Sequence, residues 1–114
     1  MSSNERKTKI KDAISKVISA DIGAFCNILE KKSEKIMILV ENLGEKDKVA
    51  ITVQGELSDD QIEKAQKIIE EAGGDPMQLQ ANLGLDQAVE ITDKIFSELL
   101  SSSEFSVDIE LAIE

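Results

Sequence analysis

Residues 36–65 read IMILVENLGEKDKVAITVQGELSDDQIEKA, and the division of this stretch decides the fold. Ile36–Val40 is a dense, largely β-branched run of strand length. It has the composition of a strand buried on both faces. Asn42–Lys48 is a polar loop containing Gly44. Lys48–Glu56 then alternates, with Val49, Ile51 and Val53 on one face, which predicts a second strand. Ser58 follows as an N-cap with Gln61 three residues later, a capping box, and Leu57 and Ile62 flank it as a hydrophobic staple. Ile62, Ala65, Ile68, Ile69 and Ala72 make the buried stripe of that helix. Gly73-Gly74 ends it, because glycine takes the left-handed C′ conformation without steric cost.

Working upstream, Ala24–Lys31 reads as a further strand, bounded by Gly23 and by the polar turn Lys32-Ser33-Glu34, although Ile22, Phe25 and Leu29 also fit a helical face. Glu5–Ala20 is an amphipathic helix with Ile10, Ala13, Ile14, Val17 and Ile18 on its apolar side, and Ser2 with Glu5 offers a capping box. Downstream, Asp75-Pro76 predicts a short helix running to about Asn82 and stopping near Gly84. Asp86–Leu100 is a last helix, with Glu90 and Lys94 an i,i+4 pair. After Ser101–Ser103, the apolar residues Phe105, Val107, Ile109, Leu111 and Ile113 alternate with polar or small ones: a strand with one buried and one acidic face.

The expected fold is therefore α+β, a single domain over residues 1–114. An N-terminal helix and an antiparallel three-strand meander are extended by a C-terminal strand, with two to three helices packed on one face. The core is aliphatic, since the chain has fifteen isoleucines and three phenylalanines. The longest uninterrupted apolar run is Ile36–Val40, far short of the ~20 residues of a membrane-spanning helix. The polar start, MSSNERKTKIKD, has no signal-peptide character. A soluble, cytoplasmic protein with no membrane partner is expected.

Charge is split unevenly. Residues 1–48 carry ten Lys/Arg against eight Asp/Glu, whereas residues 49–114 carry three against fifteen, for a net charge of −10. Such asymmetry bears on partners and association rates. Histidine, tyrosine and tryptophan are absent and there is one cysteine, so most groups that do chemistry near neutral pH are missing. Cys26 has no histidine to activate it and no CxxC neighbour, and reads as a buried small hydrophobe. Asp59, Asp60 and Glu63 lack the spacing of a calcium loop and suit a helix start instead. Asp86, Glu90 and Asp93 lie on one helical face, which reads as solvated. No phosphate-loop glycine pattern occurs. Neither a catalytic residue, nor a cofactor, nor a metal ligand is expected, and the chain reads as a non-enzyme.

The order helix, three-strand meander, helix over Phe25–Ala72, with the third strand running through Leu57-Ser58-Asp59-Asp60-Gln61 into the next helix, resembles the opening of the type III secretion chaperone-like fold. That resemblance implies a small acidic cytoplasmic protein that dimerises and holds a partner polypeptide. The chain departs from the family at its end, where two helices and one strand replace the family's further strands and last helix. No functional residue carries over.

The residues and the resemblance together predict a non-catalytic protein-binding module, a small acidic chaperone, adaptor or assembly subunit acting as a homodimer. Asp108 and Glu110, with Phe105 and Val107, are its candidate partner-binding residues, and a basic protein is the expected partner. One alternative is a nucleic-acid-associated regulator using the basic side of the first helix, Arg6, Lys7, Lys9, Lys11 and Lys16. The bland reading of the same lysines is that this helix lies against the acidic half. A carboxylate-only enzyme is the remaining alternative.

Overall fold

In the computed structural model, which describes residues 3–31, 36–100 and 106–112, the chain begins with helix α1, Ser3–Ser19. Ile10, Ala13, Ile14 and Val17 are buried on its inner side. Three strands follow, β1 (Phe25–Glu30), β2 (Ile36–Glu41) and β3 (Lys48–Gly55), each antiparallel to the next, as the sequence predicts. Helix α2 (Asp59–Glu71) leads to strand β4 (Gln80–Gly84), helix α3 (Leu85–Leu100) and strand β5 (Val107–Ala112). The sheet has the order β4-β3-β2-β1-β5. Helix α1 lies over β1, β2, β3 and β5, α3 lies over β3 and β4, and α2 packs on α3. Ser2, the turn at residues 32–34, the break at 101–103, Phe105 and Ile113 lie outside the described residues.

The start of α2 matches its sequence closely. Gln61 N donates to Ser58 Oγ at 3.2 Å, and Ser58 N donates to Gln61 Oε1 at 3.0 Å, completing the capping box. Gln61 Nε2 also donates to Leu99 O, which ties the cap to the end of α3. Ser58→Ala should therefore cost about 1 kcal/mol in a denaturant titration. An unchanged midpoint would remove Ser58 from the cap.

The end of α2 is the glycine stop the sequence predicts, and the segment beyond it corrects the sequence reading. Gly73 N donates to Glu70 O and Gly74 N to Ile69 O, a Schellman stop, with Gly73 at φ +85°. The expected helix over residues 76–82 does not form. Asp75 and Gln80 instead exchange backbone hydrogen bonds of 2.7 and 3.2 Å, and Met77 N donates to Asp75 Oδ1. The Asp-Pro pair that also opens helices here opens a turn. Residues Gln80–Gly84 then pair with β3, Thr52 opposite Gln80 and Val49 opposite Leu83. Tertiary pairing to β3 overrides local helix signals, and it buries Ala81 and Leu83.

Two further expectations change. Ile36, Ile38 and Val40 are buried beneath the helices, but Met37 and Leu39 are only half-buried on the opposite face of β2. Ile36–Val40 is thus covered on one face and not on both, because all three helices pack on the same side. In β5, Val107 is fully buried, Ile109 half-buried and Leu111 exposed. Helix α1 passes from Val107, whose carbonyl accepts from Lys9 Nζ, to the loop after β2, where Asn42 Nδ2 donates to Val17 O and Ala20 O. It diverges from β5 along the strand and leaves Leu111 without a cover.

Candidate functional site: the open sheet face and its acidic edge

The register fixes which side chains share the uncovered face. Across the strands, Gln80, Thr52, Leu39, Asn27 and Glu110 form one row. Gln54, Met37, Leu29 and Asp108 form the next. On the other side lie Asn82, Ala50, Glu41, Phe25 and Ala112. The centre of this face is largely apolar, with Leu29, Met37 and Leu39 around the polar Asn27 and Thr52, and Phe25 lies at its end. Its rim is polar, with neutral Gln80 and Asn82 on β4 and the exposed carboxylates of Asp108 and Glu110 on β5. An apolar centre inside a polar rim is the anatomy of a protein–protein contact.

Of the four candidate residues named from the sequence, Asp108 and Glu110 therefore sit together on this face. Val107 faces the opposite way and is fully buried against the helices. A side chain so placed supports the strand and offers nothing to a partner, which corrects its assignment as a contact residue. Phe105 lies outside the described residues. Leu29, Met37 and Leu39 escaped the sequence reading as site residues, although for Met37 and Leu39 the density of apolar residues in Ile36–Val40 was a signal.

The basic side of α1 is consumed within the chain. Arg6 Nε lies 2.7 Å from Asp93 Oδ1, with side chains 2% and 12% exposed. Lys7 pairs with Glu90 at 3.3 Å, Lys9 with Asp108 at 4.0 Å and Lys11 with Asp86 at 3.9 Å. Lys16 pairs with Asp12 on its own helix. Asp86, Glu90 and Asp93 of α3 thus face α1, and Asp93 is buried where the sequence pattern predicts a solvated face. The exposed pairs contribute little individually, but they neutralise the face that a polyanion would need.

The remaining groups with chemical potential are few. Cys26 is fully buried, and desolvation pushes its thiol up to about 12, so it stays protonated and unreactive. Asp59 and Asp60 lie in the first turn of α2, where the helix dipole favours them. Among the described residues no group of three or more potential ligands is arranged to hold a metal ion. All three lysines of the acidic half, Lys64, Lys67 and Lys94, line one groove of about 340 Å³ between α2 and α3. Glu71 and Glu98 line it too, and Lys64 and Lys94 are paired with Asp60 and Glu71. That groove is close to neutral. No helix among the described residues is long and apolar enough to cross a membrane.

No family model, no curated protein and no solved structure matches this chain.

Proposed function

We propose that this chain is a non-catalytic protein-binding module, a small acidic chaperone, adaptor or assembly subunit, which self-associates through its open sheet face. The observation that carries the reading is β2. Ile36–Val40 has the composition of a strand covered on both sides, yet only the side of Ile36, Ile38 and Val40 is covered by the chain itself. Met37 and Leu39 supply the apolar surface for a second layer.

Charge argues that the second layer is another copy. Two chains of net charge −10 repel over most of their surface, because α2, α3 and β5 carry the excess carboxylates. The centre of the open face is the exception. On the open side of β1, β2 and β3, among the described residues, only Glu41 and Lys48 are charged, one of each sign. Close approach there adds little like-charge contact while removing Leu29, Met37 and Leu39 from water. The acidic rim remains free to steer a basic partner, raising its association rate more than its affinity.

The test is sedimentation equilibrium of the wild type and of the double variant Met37→Gln/Leu39→Thr, which keeps an unbranched side chain at 37 and places a strand-favouring β-branched one at 39. The wild type should dimerise. The variant should lose about 2 kcal/mol or more of association free energy while remaining folded. A wild type that stays monomeric at all concentrations, or a variant that dimerises as well as the wild type, would contradict the proposal.

A further inference from the structure

The outer edge of β5 has a specific chemistry. Lys31 N donates to Ser106 O at 2.8 Å, so Ser106 directs its backbone groups at β1. Backbone groups alternate in direction along a strand. Asp108 and Glu110 therefore also bond β1, while Val107, Ile109 and Leu111 direct their N–H and C=O groups outward. β5 ends the sheet, with no strand beyond it among the described residues. The opposite edge, β4, is partly taken by the Asp75–Gln80 bridge. On β5 the Val107 carbonyl accepts from Lys9 Nζ at 2.8 Å, and that ammonium also lies 4.0 Å from Asp108 Oδ1. Beyond it, Ile109 and Leu111 present two donors and two acceptors to whatever lies alongside.

We infer that this edge docks an extended segment of alternating apolar and basic residues from another protein, added as a sixth strand beside Ile109 and Leu111. The inference rests on the reading of the chain as a protein-binding module, but uses a different surface from the self-association face. Main-chain hydrogen bonds would supply the pairing. On the open side, the segment's Lys or Arg residues would lie beside the exposed carboxylates of Asp108 and Glu110. On the helix side, its apolar residues would lie beside half-buried Ile109 and exposed Leu111. Exposed Ile22 and Leu43 belong to the same end of the sheet as Leu111, since Phe25 pairs with Ala112 and Gly23 N donates to Asn42 O. Lys9 already shows the preference, holding an ammonium between an outward carbonyl and Asp108.

Charge also selects against the other obvious occupant. A second β5 pairing with the first brings Asp108 and Glu110 of both copies side by side, and like charges on neighbouring strands destabilise a sheet. The carboxylates protect the edge from its own kind and leave it open to a basic strand.

The experiment uses three short synthetic peptides: alternating Lys and Val, the same composition with the lysines grouped, and alternating Glu and Val. Binding to the full chain is followed by calorimetry, with backbone amide shifts read at Ile109 and Leu111. The alternating Lys–Val peptide should bind and shift those two amides, and the Glu–Val peptide should not bind. Asp108→Asn/Glu110→Gln should weaken the Lys–Val peptide by about tenfold or more. Ile109→Pro removes one outward N–H and leaves the β1 ladder untouched, so it should abolish binding. If that variant fails to fold, the double carboxamide variant, which alters no backbone group, decides. Equal binding of the grouped-lysine peptide would overturn the inference, as would amide shifts away from β5 or no binding at all. Sedimentation of the same samples separates the two claims: a chain that dimerises but ignores the peptide refutes the docking edge alone, and one that binds the peptide while monomeric refutes only the self-association face.

Discussion

Arg6→Ala will destabilise this protein by about 3–5 kcal/mol, the cost of leaving a partner charge buried and uncompensated. The guanidinium is almost fully buried and bonds Asp93 on α3 at 2.7 Å, eighty-seven residues away in the chain. Removing it leaves the Asp93 carboxylate between α1 and α3, with water largely excluded. A domain of this size has a total stability of about 5–15 kcal/mol, so one substitution takes a large share. Asp93→Leu should also be costly, since it removes the carboxylate that the buried guanidinium bonds at 2.7 Å. The double variant Arg6→Met/Asp93→Leu should recover most of the loss, because apolar residues of similar volume replace both charges. Guanidinium titrations of the two single variants and the double variant check this. A single-variant cost below about 1 kcal/mol would show that the pair is solvated.

Gly74→Ala should cost about 2–4 kcal/mol, more than most glycine substitutions, because the obstacle is not conformational preference. A Cβ at Gly74 would meet Gln80 O at 2.5 Å, Ala81 Cβ at 2.6 Å and Ile69 Cγ2 at 2.8 Å. Two of these belong to β4 and the third to the buried face of α2, so nothing there yields cheaply. The substitution has to push β4 away from α2 or tilt the end of α2. Gly73→Ala is the informative comparison: its Cβ would meet nothing within 4 Å, but its φ is +85°. It should cost only about 1 kcal/mol, the strain of the left-handed conformation. Thermal melts of the two variants decide: equal costs would mean that β4 does not approach Gly74 as closely as described.

Those two sites also show what the sequence can and cannot carry. The capping box at Ser58 and Gln61 is legible because every atom in it belongs to four consecutive residues. The meander is legible because Val49, Ile51 and Val53 alternate and the intervening turns are polar. β4 is not, because Asp75-Pro76 serves equally well as a helix start or a turn. Only the partner strand, pairing Ile51 with Ala81, decides between them. Asp93 was hidden for a related reason. Its spacing from Asp86 and Glu90 places all three on a polar stripe, and a stripe does not reveal that another polar helix lies against it. The excess of Lys and Arg on α1 was the complementary half of that signal, and it points inward to α3. Of the site, Asp108 and Glu110 could be placed from alternation in β5. Met37 and Leu39 were misplaced because a dense apolar run does not reveal whether the chain's own helices cover one face of the strand or both.

The claim that a second copy covers the open face can be read from two methionines. Met37 lies at the centre of that face, half-buried in the single chain, while Met77 lies in the turn before β4 and is 84% exposed. With methyl-labelled methionine, solvent paramagnetic relaxation of both methyl groups should be measured across the concentration range in which sedimentation detects association. Met37 should become protected as the dimer forms, with the same midpoint, while Met77 stays accessible throughout. A dimer in which Met37 remains as accessible as it is in the dilute chain would contradict the account.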